Sequence, residues 1–262
     1  MGFGGELGNY FGLSVKIFGI ILNTYNNLWI KFFHKLSPQF RDMINHDLTI
    51  YELTKIINKS NPTILEIGSN IGQSTEEFLR YFPDVKIYCF EPDQRASDKF
   101  KENPRLNGIP LFNLAISDVN KKQEIDFYVS DGNISKDKLT ADNGWNQSGS
   151  ILTPKLHKVV NPWCTFEKKI KVVTNSLDNW GTEHYSGFID LIWMDVQGAE
   201  SKVILGAQET LKRTKYLYFE YSLFELYENQ LKLREILKIV KDFKIVGIYP
   251  RDVLLINKNF IQ

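Results

Sequence analysis

The stretch Glu66-Ile-Gly68-Ser-Asn70-Ile-Gly72 decides the fold of this chain. A short apolar run, Thr63 to Ile67, leads into it and is predicted to be a buried β-strand. The residues from about Gln73 to Tyr81 follow it and predict a helix that stops before Pro83. Glycines in such a turn let the backbone approach a ligand closely, and the first N–H groups of the helix are free to bind it. The stretch therefore predicts a ligand-binding turn in a parallel α/β sheet.

The glycine spacing separates the nucleotide-type ligands that use such a turn. A dinucleotide fold requires G-x-G-x-x-G, but Glu66 stands in place of the first glycine. A phosphate loop requires G-x-x-x-x-G-K-[ST], whereas these glycines are one residue too close and Gln73 replaces the lysine. A short-chain dehydrogenase needs Tyr-x-x-x-Lys after the fourth strand, and the pair Tyr51 and Lys55 precedes the turn. The acid-x-Gly-x-Asn-x-Gly form is instead similar to the first motif of S-adenosylmethionine (SAM) methyltransferases; a purely structural turn is the alternative.

A second acidic residue supports a nucleotide-like ligand. Glu91 follows the predicted second strand, Val85 to Phe90, and lies 25 residues after Glu66. Rossmann-like folds place an acid at a similar offset on the ribose of the ligand. A carboxylate accepts strong hydrogen bonds from both ribose hydroxyls. Glu91 is therefore predicted to bind a ribose, with a solvated surface charge as the alternative.

The remaining chain continues the alternation of strands and helices with one interruption. Further strands are predicted at Ile109 to Ile116, Phe188 to Met194 and Lys215 to Glu220, followed by a long helix, Leu223 to Lys241, and a closing hairpin, Phe243 to Tyr249 with Val253 to Ile256. Between about residues 118 and 182 the pattern changes to short strands with Gly, Asn and Trp. We therefore predict one α/β domain, residues 61–262, with a β-rich insertion at about 118–182.

The first 60 residues are predicted to be a helical extension. Apolar side chains from Phe11 to Leu36 recur with alternating spacings of four and three, so one face of a long helix is apolar. Lysines and asparagines lie off that face. The helix either packs on its own domain or on a second subunit, which is self-association, or lies on a membrane surface as a basic amphipathic helix. Thr49 and Glu52 predict a capping box for a second helix.

Composition limits the function classes. The chain has 262 residues, 32 Lys+Arg and 31 Asp+Glu, and a formal charge of +1. This balance argues against nucleic acid as a partner. Two cysteines, Cys89 and Cys164, are too few for a disulfide framework, which favours a reducing compartment. The N-terminal apolar run is too short to span a bilayer and lacks a cleavage site typical of signal peptides. The expected location is the cytoplasm, with membrane-peripheral contact if the N-terminal helix binds lipid.

Together the motifs closely resemble those of the FkbM family of SAM-dependent methyltransferases. The resemblance rests on the Glu66 to Gly72 stretch, Phe90-Glu91-Pro92, Ala115-Ile-Ser117 and Asp195-Val-Gln-Gly198-Ala-Glu200, and it covers roughly residues 63–256. It implies a Rossmann-like class I methyltransferase sheet of seven strands, the last antiparallel, with helices on both faces. Family members usually have Asp-x-Glu-Gly-x-Glu where this chain has Gln197, which puts in doubt any role that needs negative charge there.

The resemblance also implies the cofactor and its contacts. SAM is expected in a cleft above the glycine turn, with Glu91 on its ribose and Ala115 to Ser117 near its adenine. The implied cofactor-binding residues are Glu66, Gly68, Ser69, Asn70, Gly72, Glu91, Pro92, Ala115 and Ser117. Family members methylate hydroxyl oxygens of sugars, glycans, polyketides and other natural products. The residues by themselves indicate only a nucleotide-like cleft.

Methyl transfer to a hydroxyl needs an aligned acceptor and usually a general base. Asp195 is the first candidate because the strand before it directs it to the ligand-binding edge of the sheet. Glu220, at the end of the fifth strand, is a second acid, and His157 in the insertion is an alternative base that would titrate near 6.5. Trp145 and Trp163 are candidates for stacking on a sugar. No metal site is predicted, because Asp195 and Glu200 make an incomplete oxygen shell.

The sequence thus predicts a SAM-dependent O-methyltransferase acting on a sugar or glycan hydroxyl or on a related natural product. One alternative is a catalytically silent module that binds SAM or a glycan, which the departure at Gln197 favours. Another is methylation of a lipid head group or other small molecule, which the basic N-terminal helix favours.

Overall fold

A computed structural model describes residues 46–132 and 144–261. The strands are β1 (Thr63–Ile67), β2 (Lys86–Phe90), β3 (Leu111–Phe112), β4 (Ala115–Ile116), β5 (Gln123–Gly132), β6 (Cys164–Asn175), β7 (Ile189–Met194), β8 (Thr214–Glu220), β9 (Phe243–Ile248) and β10 (Asp252–Asn257). The helices are α1 (Ile50–Ile57), α2 (Gln73–Tyr81), α3 (Gln94–Glu102), α4 (His157–Val160), α5 (Leu177–His184), α6 (Glu200–Leu205), α7 (Gln208–Lys212) and α8 (Leu233–Ile239).

Seven strands form the main sheet in the order β3-β2-β1-β7-β8-β10-β9. Strand β10 is antiparallel to both of its neighbours, while β3, β2, β1, β7 and β8 are parallel. The predicted Rossmann-like sheet with an antiparallel last strand is confirmed, as is the closing hairpin. The chain moves outward from β1 to β3 and then returns to β7 on the other side of β1. This reversal is the switch point, beside which open α/β sheets bind their ligands.

The hydrophobic core covers both faces of the sheet, as a mostly parallel sheet requires. All five residues of β1 are buried. Leu65 and Ile67 face a cluster that contains Trp180 of α5, whereas Ile64 faces the opposite cluster with Phe78 of α2. This alternation follows from the two-residue period of a strand. Truncation of such a fully buried side chain to Ala costs about 2–5 kcal/mol.

Helix α1 begins at the predicted capping box. Thr49 Oγ1 accepts a hydrogen bond from the Glu52 N–H at 3.2 Å, and the Glu52 carboxylate accepts one from the Thr49 N–H at 2.9 Å. Tyr216 O–H donates to the Ile56 carbonyl at 3.1 Å and ties the helix to β8. The apolar stripe from Phe11 to Leu36 lies outside the described residues, so the long N-terminal helix stays a prediction. Across the described ranges, no helix has the length and hydropathy needed to cross a membrane.

A second, three-stranded sheet has the order β4-β6-β5, with β5 and β6 forming a long antiparallel ribbon. The single strand predicted at residues 109–116 is wrong: β3 belongs to the main sheet and β4 to the second one. Asn113 separates them, because its side chain leaves the strand and donates to the Glu91 carbonyl at 2.7 Å and to Ser97 Oγ at 2.9 Å.

The long helix predicted at Leu223 to Lys241 is also wrong, since only α8 (Leu233–Ile239) is helical there. Residues 221–232, here called the covering loop, precede it without helical structure. Gln230 Oε1 accepts from the N–H groups of Leu226 and Tyr227, and Tyr227 also pairs with Pro154 as an isolated β-bridge. These bonds satisfy backbone groups that a helix would otherwise use.

Candidate active site

A cleft of about 1030 Å³ opens at the carboxyl ends of β1, β2, β7 and β8. One wall is the segment 145–151 of the insertion, and another is the covering loop, which contributes residues 221–224, 226, 227 and 230. The volume is at the upper end of the range for small-molecule sites. Its position beside β1 is the one that the switch point predicts.

The floor of the cleft is the glycine turn. Gly68 has φ +88°, and a Cβ atom on it would lie 1.9 Å from the Asp195 carbonyl oxygen. The N–H groups of Gly68 and Ser69 donate to the Phe90 carbonyl at 2.9 and 3.0 Å. Glycine is therefore required at 68 both by the backbone conformation and by the close passage of the chain after β7.

Glu91 is fixed by two backbone N–H groups. Its Oε2 accepts from Asn70 at 2.9 Å and its Oε1 accepts from Asp93 at 2.7 Å. The side chain is 5% exposed. Burial raises the pKa of Glu91 to about 8, although the two hydrogen bonds act in the opposite direction.

Asn70 carries an unsatisfied acceptor next to Glu91. Its Nδ2 donates to the Asn146 carbonyl at 3.0 Å, which holds the amide against the insertion. Its Oδ1 is buried and has no hydrogen-bond partner among the described residues. A buried carbonyl of this kind is costly unless a ligand donor reaches it. Asn70 therefore offers a position for an N–H or O–H group of a ligand.

Glu66 lies deeper, at the end of β1. Thr75 O–H donates to its Oε2 at 2.6 Å, and Cys89 Sγ lies 3.6 Å from the same atom. Burial raises the pKa of Glu66 to about 7, with the Asp195 charge as a smaller contribution in the same direction. Glu66 is buried and is one of the residues that line the cleft.

Asp195 and Glu220 are bridged by the side-chain amide of Gln197. Asp195 follows β7 directly and Glu220 ends β8. Gln197 Nε2 donates to Asp195 Oδ1 at 2.7 Å and to Glu220 Oε2 at 3.3 Å. The Asp195 carboxylate opens into the cleft but has protein atoms around it, and this burial raises its pKa while the Gln197 bond lowers it. Burial and then the Asp195 charge raise the pKa of Glu220 well above its ordinary value.

Other charged groups around this pair are mostly acids. Burial raises the pKa of Glu200 to about 7 and that of Asp252 to about 6. Arg251 Nη1 lies 4.0 Å from Glu220 Oε1, at the exposed rim. A cleft with several carboxyl groups and a cation only at its rim, among the described residues, favours a cationic ligand. Within those residues no group of three or more His, Cys, Asp or Glu side chains has a metal-binding arrangement.

His157 begins α4 and is buried, with 4% exposure. Its ring packs on Phe166 and Tyr227, at centroid distances of 5.2 and 5.4 Å. Nδ1 has no hydrogen-bond partner among the described residues, and Nε2 lies 3.4 Å from Asn161 Nδ2. Burial lowers the pKa of His157 to about 4, so the ring is neutral at pH 7. This pKa lies below the value near 6.5 that the sequence predicts.

Two tryptophans of the insertion line the cleft side by side. Trp145 and Trp163 are half-buried, and their rings meet edge to face at a centroid distance of 5.0 Å. Trp145 Nε1 donates to Ser148 Oγ at 2.8 Å. Both rings line the cleft, as does His157. This wall is aromatic and largely uncharged, in contrast to the acidic floor.

The structure brings most of the predicted site residues together. Lining the cleft are Glu66, Gly68, Ser69, Asn70, Glu91, Pro92, Ala115, His157, Asp195 and Glu220. Gly72 and Ser117 do not line it. Gly72 is the N-cap of α2 and faces Leu106 and Phe100, and the Ser117 N–H belongs to the second sheet, where it bonds the Asn175 carbonyl.

Sequence reasoning missed the residues that hold the acid pair. Tyr227 falls in the segment predicted to be helix, yet its O–H lies 3.2 Å from Gln197 Oε1. Ser150 Oγ donates to the Gln197 carbonyl at 2.8 Å. The sequence carried one signal for this network, which was the glutamine at 197 in place of the usual glutamate.

The sequence matches one family of known proteins and one named relative. The methyltransferase FkbM domain family matches residues 66–244. The 2-O-methyltransferase NoeI of Sinorhizobium fredii (strain NBRC 101917 / NGR234) is 44% identical over 211 residues, which are 79% of this chain and 84% of that protein.

Two solved structures are more distant. The methyltransferase FkbM from Methylobacillus flagellatus KT aligns with 12% identity and a TM-score of 0.42 over 75% of this chain and 44% of its own, so this chain spans less than half of that structure's length. The O-methyltransferase from Bacillus cereus, in complex with SAH, aligns with 11% identity and a TM-score of 0.41 over 86% of this chain and 88% of its own.

Proposed function

The chain belongs to the FkbM family of methyltransferases, and from this we propose that it transfers a methyl group from SAM to a hydroxyl oxygen of a sugar or glycan. The observation that carries the proposal is the cleft itself, which has an acidic floor at the switch point and an aromatic, neutral wall from the insertion. The floor suits a cationic donor, and the wall suits an uncharged, polyhydroxylated acceptor. The relative NoeI, a 2-O-methyltransferase, supports oxygen as the methylated atom.

The donor end of the cleft fits SAM. The unpartnered Asn70 Oδ1 would accept a hydrogen bond from the ammonium group of SAM, and Glu91 would accept bonds from its ribose hydroxyls. Pro92 and Ala115 would contact the adenine. When bound, SAM supplies an electrophilic methyl group on a sulfonium. The surrounding carboxyl groups, including Glu66, would favour that positive charge.

The acceptor end would hold a sugar between the insertion and the covering loop. The rings of Trp145 and Trp163 offer apolar faces for the C–H side of a pyranose. The buried Nδ1 of His157 has no partner among the described residues, so a sugar hydroxyl would satisfy it. With a pKa of about 4, His157 is a weak base. We assign it to hydrogen bonding of the acceptor rather than to proton removal.

Asp195 is the general base in this proposal. Asp195 follows β7 directly and lines the cleft, and its backbone carbonyl lies against Gly68 of the glycine turn. The raised pKa of Asp195 makes it a stronger proton acceptor than an aspartate of ordinary pKa. Burial and then the Asp195 charge raise the pKa of Glu220 well above its ordinary value, so we assign the shared proton of the pair to Glu220. Asp195 would take the hydroxyl proton as the oxygen attacks the methyl carbon, and the sulfur of the donor would leave as a neutral thioether.

The experiment that tests the function uses the purified full chain with SAM labelled in the methyl group. A panel of mono- and oligosaccharides, together with lipid head groups and small phenols, is incubated with it and read by mass spectrometry. A mass gain of one methyl on a saccharide hydroxyl supports the proposal. Binding of SAM without transfer to any acceptor would support the silent-module alternative, and transfer only to a lipid or phenol would refute the sugar acceptor.

A further inference from the structure

Gln197 has a backbone conformation that few non-glycine residues adopt. Its φ is +52°, in the left-handed region, and Ser150 Oγ holds its carbonyl oxygen at 2.8 Å. Non-glycine residues in this region cluster where the side chain has a functional position. The Gln197 side chain lies between Asp195 and Glu220 and donates a hydrogen bond to each.

The orientation of the Gln197 amide is fixed by what surrounds it. Tyr227 shares its O–H between the Ser148 carbonyl at 2.8 Å and Gln197 Oε1 at 3.2 Å. The Nε2 end then donates to Asp195 at 2.7 Å and to Glu220 at 3.3 Å. Reversal of the amide would place its oxygen against the Asp195 carboxylate, which is unfavourable. The amide is therefore a fixed neutral donor to the acid pair.

We propose that Gln197 is a positioning residue that fixes the Asp195 carboxylate as a free proton acceptor, a role that the glutamate usual at this place in the family cannot fill in the same way. The proposal rests on the proposed function of the cleft. A glutamate with the same shape would keep the bond from Tyr227 but present a carboxylate oxygen to Asp195. Two carboxylates at that distance must share a proton, so Asp195 would no longer be free to accept one.

The charged and titratable groups around Asp195 and Glu220 determine how much an added negative charge would raise the pKa of these two acids. They come from β1 and the residue after β2, from α6, from β10 and the residue before it, and from the covering loop: Glu66, Glu91, Glu200, Asp252, Arg251 and Tyr227. Four of these six are acids, and the single cation among them, Arg251, lies at the rim. With Asp195 and Glu220, the cluster has six carboxyl groups. A glutamate at position 197 would be the seventh, and Arg251 is the one cation of the cluster that could offset its charge.

The test compares Gln197→Glu with Gln197→Met, which has a similar size but neither donates a hydrogen bond nor carries a charge. Gln123→Glu, at an exposed position of β5 outside the cleft, is the matched control for the same chemical change. Methyl transfer to a verified acceptor is measured from pH 5.5 to 9.5, together with SAM affinity. We expect Gln197→Glu to move the acidic limb of the kcat profile upward by about one to three pH units, with activity recovered at high pH. SAM affinity should change by less than about threefold, and Gln197→Met should lower kcat with a smaller shift.

An unshifted acidic limb in a folded Gln197→Glu protein overturns the proposal. If that variant does not fold, an unchanged kcat in Gln197→Met overturns it instead. A second readout needs no acceptor: without ligand, Gln197→Glu should lose thermal stability more steeply than wild type between pH 6 and 8, because it holds an extra proton when folded. Absence of methyl transfer in wild type would refute the proposed function, whereas equal stability slopes would refute the role of Gln197.

Discussion

The backbone N–H of Asn70 lies 2.9 Å from Glu91 Oε2, so the glycine turn after β1 and the acid after β2 are joined before any ligand binds. The same carboxyl group accepts the Asp93 N–H with its other oxygen. Glu91 is thus held in place by the backbone and does not need to reorganise to receive hydroxyl groups. Preorganisation of this kind lowers the cost of binding.

Replacement of Glu91 should weaken SAM binding in a pH-dependent way. With a pKa of about 8, Glu91 is mostly protonated at pH 6, and ribose hydroxyls bind better to its ionised form. The SAM affinity of the wild type, divided by that of Glu91→Gln, should therefore rise between pH 6 and 8 by up to about tenfold per pH unit. Isothermal titration calorimetry measures this, and comparison of the two proteins cancels titration of the ligand. Parallel pH curves would mean that Glu91 does not contact the donor.

Gly68→Ala should destabilise the protein far more than Gly108→Ala. Both glycines have positive φ, +88° and +82°, but a Cβ at 68 meets the Asp195 carbonyl at 1.9 Å and a Cβ at 108 meets nothing within 4 Å. Gly108→Ala should cost about 1–2 kcal/mol from the backbone conformation alone. Gly68→Ala should lower the free energy of unfolding by more than this, because the added Cβ would push the glycine turn away from the chain that follows β7. Chemical denaturation of both variants measures the difference, and equal losses would contradict the close contact.

The stability of the ligand-free protein should fall as pH rises through neutrality. Glu66 has a pKa of about 7 when folded, above its ordinary 4.5, so the folded state keeps a proton that the unfolded state releases. Its contribution is present below about pH 4.5 and is lost as pH rises through 7. The glutamine of Glu66→Gln stays neutral at every pH. Between pH 5 and 8 the free energy of unfolding of this variant should therefore fall by up to about 3 kcal/mol less than that of the wild type. Urea unfolding at both pH values checks the expectation, which fails if the two proteins respond equally to pH.

Asp195→Asn should separate chemistry from donor binding. The amide keeps the shape of the side chain but does not accept the hydroxyl proton, so kcat should fall by about 10²–10⁴-fold with little change in SAM affinity. His157→Phe should instead raise the KM of the acceptor, since it removes a neutral hydrogen-bonding group from a buried position. A near-normal kcat for Asp195→Asn would assign proton removal elsewhere, with Glu220 as the next residue to replace.

The parts of the site that the sequence predicted are local. Gly68 and Glu91 each follow a strand directly, and Asn70 lies two residues after Gly68, so strand prediction alone brings them to one edge of the sheet. Tyr227 and Ser150 were missed because their roles arise from contacts with Gln197, which lies 30 and 47 residues away from them in the chain, and no local pattern encodes such contacts. The split between β3 and β4 was missed for a related reason, since it depends on the tertiary bonds of Asn113.

The covering loop and the insertion are bonded to each other as well as to the sheet. The N–H groups of Lys155 and His157 both donate to the Leu226 carbonyl, and the Glu228 N–H donates to the Thr153 carbonyl. A chimera that receives another family member's insertion would lose these backbone partners unless residues 221–232 were transplanted with it. In the proposed function the two segments set acceptor preference together, so a redesign of one requires a redesign of the other.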